Sequence, residues 1–215
     1  MRIAAAAAMA VLGTAYVLLK KRKKGAALAC KAGATSMPAI LLLAYLQQSG
    51  ISPELCWSIA AIVLYMTADV LLECKFVYGA ATFAAGHICM TVGMLSELEL
   101  TTELVLWGMG AFLLFAGAAV LVLHPYVSRL KKLKVPAFLY VAVLSAMSAV
   151  AVAAGASLGG VSGAACGTGG VSFVASDILL GKNRLGRRRS PVRGALILVL
   201  YYLSVYLFAM RIWIR

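Results

Sequence analysis

Two aspartates stand inside apolar runs where a carboxylate is costly to place. Asp69 lies in Tyr65-Met66-Thr67-Ala68-Asp69-Val70-Leu71-Leu72, and Asp177 lies in Phe173-Val174-Ala175-Ser176-Asp177-Ile178-Leu179-Leu180. Placing an aspartate at the centre of a membrane helix costs about 2.5–3.5 kcal/mol on insertion scales. Its short side chain reaches the headgroups poorly, unlike Lys or Glu. Two such residues are therefore expected to face a polar cavity within a helix bundle. Two carboxylates in a partly desolvated site can divide the labour, one holding a proton and the other ionised. That is the equipment for acid-assisted addition of water through a cation, as in glycoside cleavage. It is equally the equipment for proton-coupled transport. Composition and spacing do not choose between the two.

Few other groups compete for the chemistry. Lys31, Glu73 and His87 are the remaining ionisable residues within apolar stretches. His87 and His124 are too few and too far apart for the three or four N/S ligands of a zinc site, so no metal is expected. The serines between Gly155 and Gly170 have no histidine nearby in the sequence. Five scattered cysteines (Cys30, Cys56, Cys74, Cys89 and Cys166), with no C-x-x-C, read as small apolar helix residues. Tyr201 and Tyr202 sit mid-run, too deep for an interfacial belt, so their hydroxyls need a partner or a cavity.

The elements that must position these residues follow from composition. Of 215 residues, 63% are hydrophobic and 13% are charged, where a soluble domain has roughly 45–50% and 25%. A soluble enzyme, a nucleic-acid-binding domain and a disordered chain are excluded. So is a β-barrel, whose strands alternate over about ten residues, because these apolar runs are continuous. At about 20 residues per crossing, the runs predict eight membrane helices at about 3–19, 26–47, 55–73, 76–95, 103–123, 135–154, 157–180 and 194–214. They form one all-α transmembrane domain over residues 1–215. Pro38 is expected to kink the second helix. Gly159, Gly163 and Gly167 keep the spacing that lets helix backbones approach.

The net charge of +13 is concentrated in Lys20–Lys24, Arg129–Lys134 and Lys182–Arg193, short runs that suit anionic headgroups rather than nucleic acid. With the N-terminus outside, all of the 20 basic residues except Arg2, Lys31, Arg211 and Arg215 fall in cytoplasmic connections. Glu54, Glu97, Glu99 and Glu103 then fall outside. The first helix carries its strong charge after the apolar run, which marks a retained helix rather than a cleaved signal. This topology brings Lys31, Asp69 and Asp177 to one depth near the cytoplasmic side. The echo between the Asp69 and Asp177 segments, each in the third helix of its half, suggests a parallel duplication of a four-helix unit.

The order of these residues resembles a known family over almost the whole chain. Lys31 and Thr35 open the second span. Asp69-Val70-Leu71-Leu72 is followed by Phe76, Gly79, Phe83 and His87; Gly170, Phe173, Ser176-Asp177 and Leu180 close the seventh span, and Tyr201-Tyr202 lies in the eighth. This pattern resembles the YhhN family of integral membrane lysoplasmalogenases. It departs from the usual family pattern at Lys31-Ala32, Ala68-Asp69, His87-Ile88-Cys89-Met90 and Leu203-Ser204. The resemblance implies a hydrolase without a cofactor, acting on a lysophospholipid among membrane lipids, and the short connections suggest the bacterial cytoplasmic membrane. It would cleave the vinyl-ether bond of a lysoplasmalogen to a fatty aldehyde and glycerophosphoethanolamine or glycerophosphocholine. Asp69 and Asp177 would be the acid and the base or cation stabiliser. Lys31 would hold the phosphate or tune the aspartates, with Thr35, His87, Ser176, Tyr201 and Tyr202 placing substrate or water.

Overall fold

The computed structural model describes residues 1–187 and 190–214. Every regular element among them is helical: α1 Arg2–Leu19, α2 Lys24–Ser49, α3 Pro53–Cys74, α4 Phe76–Leu95, α5 Thr102–Leu123, α6 Lys134–Leu158, α7 Gly160–Leu185 and α8 Pro191–Trp213. A 3-10 segment, His124–Leu133, joins α5 to α6. Arg188 and Arg189 of the last basic run, and Arg215, lie outside the described residues.

Seven helical stretches among the described residues are long and apolar enough to cross a membrane, and Thr102–Leu158 counts as one of them. The sequence reading separates two spans there. The structure keeps the intervening residues helical in the tighter 3-10 form, and interrupts them at Lys131, whose φ of 47° and ψ of −115° no helix tolerates. Large apolar side chains such as Ile3, Val11, Leu113, Leu114, Leu121 and Val161 point outward, as a hydrocarbon environment permits.

Local sequence sets the ends. Ser52 caps α3 by accepting the Leu55 amide at 3.2 Å, with Pro53 in the first turn and Glu54 favoured by the helix dipole. Thr101 does the same for α5 through Leu104. Gly159 and Gly160, with φ of 64° and 54°, turn α6 into α7.

The chain divides into two compact units. The first is Met1–Glu97 with the residues from Phe208 on, and the second is Leu98–Leu207. The boundaries fall between α4 and α5 and within α8. In the first unit α1 packs on α2, α2 on α3, and α3 on α4. Lys75 alone separates α3 from α4, and glycines seven residues apart let the pair close up. A Cβ on Gly79 would lie 2.5 Å from the Leu72 nitrogen, one on Gly86 2.6 Å from the Tyr65 ring, and one on Gly93 3.1 Å from Trp57. In the second unit α5 packs on α6 and α6 on α7. The expected glycine stripe is corrected here. Gly163 and Gly167 both meet Gly155 across α6–α7, a Cβ on Gly155 lying 2.6 Å from the Gly163 carbonyl oxygen and 3.1 Å from the Gly167 nitrogen, but Gly159 forms the turn; Gly170, 2.8 Å from the Ala151 side chain by the same measure, extends the close approach.

Candidate functional site

In the first unit, three helices each present a pair of polar residues four apart, hence on one face. From α1 and its C-cap come Tyr16 and Lys20, from α2 Lys31 and Thr35, and from α3 Asp69 and Glu73. Lys31 Nζ lies 3.1 Å from Asp69 Oδ1, and the two side chains are only 8% and 2% exposed. The Thr35 hydroxyl donates to Asp69 Oδ2 at 2.5 Å, and Lys31 Nζ also reaches the Asp69 carbonyl at 3.4 Å. A buried carboxylate is tolerated when a cation and a hydrogen-bond donor satisfy it, and Lys31 and Thr35 supply them. Lys31 therefore does not extend to the headgroups. Pro38, buried one turn beyond Ala34, removes the helical bond that the Ala34 carbonyl would receive, close to Thr35.

One turn further along α3, Glu73 Oε1 accepts from the Tyr16 hydroxyl at 2.7 Å and from Lys20 Nζ at 3.0 Å. One turn before Asp69, the fully buried Tyr65 stacks on Phe83, with ring centroids 5.5 Å apart. Its oxygen lies 3.0 Å from Nδ1 of His87, which is also fully buried. His87 is thus held to α3 at a point one turn from Asp69 rather than against it.

In the second unit, the Tyr140 hydroxyl of α6 donates to Asp177 Oδ2. Asp177 is half-buried where Asp69 is buried, and part of the pattern around Asp69 recurs beside it. The aromatic four residues before each aspartate (Tyr65, Phe173) is fully buried, and so is the small residue just before it (Ala68, Ser176). The partners differ, since α2 supplies a cation and a hydroxyl where α6 supplies a phenol. Ser176 donates to the Ile197 carbonyl of α8 at 3.0 Å. Tyr201 sets its ring edge-on to Phe173 at 5.5 Å and lies 5.4 Å from the buried Tyr202 ring. Ser204 ties α8 to the Gly169 carbonyl at 2.7 Å.

The structure thus brings Lys31, Thr35 and Asp69 into one cluster, pairs Asp177 with Tyr140, and groups Ser176, Tyr201 and Tyr202 around the α7–α8 contact. Sequence reasoning missed Tyr16, Tyr65 and Tyr140. It put Arg211 and Glu54 on the same, outer side without pairing them. Arg211 is fully buried, its Nη2 lying 3.0 Å from Glu54 Oε1 and 3.1 Å from the Ser58 hydroxyl. The pentapeptide Gly155-Ala156-Ser157-Leu158-Gly159 spells a nucleophile elbow, but it closes α6 instead of joining a strand to a helix. Among the described residues, no three His, Cys, Asp or Glu side chains are grouped to hold a metal ion. All five cysteines are free thiols.

Comparison with known proteins adds one finding. The model of the YhhN family matches residues 27–212, from the turn before Lys31 to the turn holding Arg211. No curated protein and no solved structure matches the chain.

Proposed function

Because the chain belongs to the YhhN family, we propose that it is a lysoplasmalogenase, a membrane hydrolase of the vinyl-ether bond of lysoplasmalogens. The observation that carries this reading is the buried cluster of Lys31, Thr35 and Asp69, a satisfied carboxylate within apolar helices of a chain of this family. Asp69 and Asp177 supply the acid and the base or cation-stabilising carboxylate. Their different partners give the asymmetry that an acid and a base require.

The chemistry balances without redox change. A carboxyl group donates a proton to the vinyl carbon remote from the ether oxygen; the π electrons form the new C–H bond and an oxocarbenium ion remains. A carboxylate stabilises this cation and takes a proton from water as the water oxygen bonds to the oxocarbenium carbon. The resulting hemiacetal collapses: its hydroxyl gives its proton to the ionised carboxylate as the C=O bond forms, and its bond to the glycerol oxygen breaks as that oxygen takes the proton held by the other carboxyl group. Fatty aldehyde and the glycerophosphate ester leave. No cofactor takes part.

We further propose eight crossings with the N-terminus outside and the Asp69 end of α3 towards the cytoplasm. A single straight helix over Thr102–Leu158 would be about 86 Å long, against a hydrocarbon core of about 30 Å. Packing of α5 on α6 requires the chain to reverse between them. The positive-inside count supports the orientation.

Asp69→Asn and Asp177→Asn should each abolish aldehyde release from folded protein. Losses below about tenfold for both, roughly 1.4 kcal/mol, would remove the aspartates from the mechanism. Substrate-dependent proton flux into sealed vesicles, without aldehyde release, would replace the hydrolase by a proton-coupled transporter.

A further inference from the structure

Two connections of the second unit, α5 to α6 and α7 to α8, are rich in cations and nearly without acid. Ten Lys and Arg residues lie between Arg129 and Arg193, while the sequence after Glu103 holds one acid, Asp177. That acid accepts from Tyr140. Glu103 stands at the start of α5, whose 22 residues span about 33 Å at 1.5 Å each.

The fold brings the two connections together. The Arg129 guanidinium donates to the Leu185 carbonyl at the end of α7 and lies 5.5 Å from the Tyr126 ring centroid. A Cβ on Gly181 would lie 3.0 Å from the Leu123 side chain, so the last turns of α7 also close on the end of α5. Asn183 Oδ1 accepts the Ser190 amide at 3.1 Å, which returns the chain to α7 before α8 begins. Lys182, Arg184 and Arg187 thus stand at the same end of the unit as Arg129–Lys134. Large apolar side chains adjoin this cluster and are exposed: Leu121 on α5, Phe138 and Leu139 on α6, and Val192 and Leu196 on α8.

We propose that the cluster binds one anionic lipid whose headgroup carries two phosphates, with its acyl chains against the adjoining apolar surface. Guanidinium forks and ammonium groups both suit phosphate oxygens, and basic pockets at the ends of membrane helices favour such headgroups. An acidic peptide would meet the charge and leave the hydrocarbon surface uncovered; a lipid meets both. Two phosphates on one glycerol engage both connections, so the second contact forms within the complex already made by the first. Lys134 precedes Tyr140 by six residues in α6, and Lys182 follows Asp177 by five in α7. The lipid bridges the ends of the two helices that meet at the Tyr140–Asp177 contact, and it stabilises the fold by binding it. This binding stands apart from the hydrolase reading.

The test titrates the full chain, stripped of lipid in detergent, with cardiolipin, with phosphatidylglycerol at equal total phosphate, and with inorganic pyrophosphate. Native mass spectrometry counts bound lipid, and thermal unfolding reads its effect. The wild type should retain a single cardiolipin with a raised Tm and bind phosphatidylglycerol about tenfold more weakly. Pyrophosphate should leave Tm unchanged. Arg129→Gln/Lys132→Gln and Lys182→Gln/Arg187→Gln should each weaken cardiolipin about tenfold. Lys23→Gln/Lys24→Gln removes the same charge from the first unit and should leave cardiolipin binding as it was. Equal binding of the two lipids, an equal effect of pyrophosphate, or equal weakening by all three double variants overturns the proposal. Aldehyde release is not read, so failure of the hydrolase reading would leave this result untouched.

Discussion

The Lys31 ammonium and the Asp69 carboxylate meet at 3.1 Å with both side chains more than nine-tenths buried, joining α2 to α3. A pair so placed is costly to break from one side only. Lys31→Met leaves the carboxylate buried with the Thr35 hydroxyl in place of a cation. The expected loss is about 3–5 kcal/mol, read as a lowered Tm in detergent. The double variant Lys31→Met/Asp69→Leu should recover most of that loss while remaining inactive. Equal loss in the single and double variants would mean that packing, not charge, holds this point.

Tyr140 is a positioning residue for Asp177. Tyr140→Phe keeps the ring and removes the donor, a hydrogen bond to a charged group worth about 1.5–3 kcal/mol. Hydrolysis should fall about tenfold to a hundredfold in kcat with KM little changed, and its pH profile should shift. A fall accompanied by an unaltered pH profile would assign Tyr140 to structure alone.

Gly86 allows the Tyr65–His87 contact to form. A Cβ there would press on the Tyr65 ring at 2.6 Å, so Gly86→Ala should cost about 1–3 kcal/mol by overpacking. Gly110→Ala, where nothing lies within 4 Å, should be neutral or slightly stabilising through helix propensity. Thermal unfolding of both variants checks the contrast.

Glu54 and Arg211 close the opposite end of the same helix. They lie 15 residues from Asp69 along α3, about 22 Å at 1.5 Å per residue. Arg211→Met strands the Glu54 carboxylate and should lower stability by about 3–5 kcal/mol, with aldehyde release preserved in whatever protein remains folded. A selective loss of activity at unchanged Tm would instead place Arg211 in the reaction.

The all-helical architecture was legible because apolar runs bounded by charge leave little choice of structure. Lys31 and Asp69 were legible as candidates because ionisable residues inside such runs stand out, and the structure pairs them in the interior. Tyr16, Tyr65 and Tyr140 were not, since a tyrosine in a membrane helix gives the same signal whether it faces lipid or a carboxylate. Which it faces depends on the rotation of its helix, set for α3 and α4 by Gly79, Gly86 and Gly93. The Arg211–Glu54 pair was not legible for a related reason. An arginine near the last turn of a helix gives the same signal whether it faces headgroups or a carboxylate, and only its apposition to Glu54 and Ser58 shows it turned inward. The 3-10 segment after α5 reads in sequence as a basic loop, because its turns follow from local backbone geometry rather than from apolar periodicity.

The most direct test of the account is aldehyde release from a lysoplasmalogen by the purified protein in detergent, with Asp69→Asn measured in parallel. The account predicts release by the wild type and none above background from a variant that stays folded and monodisperse. Equal release from the two proteins, or none from a folded wild type, would contradict it.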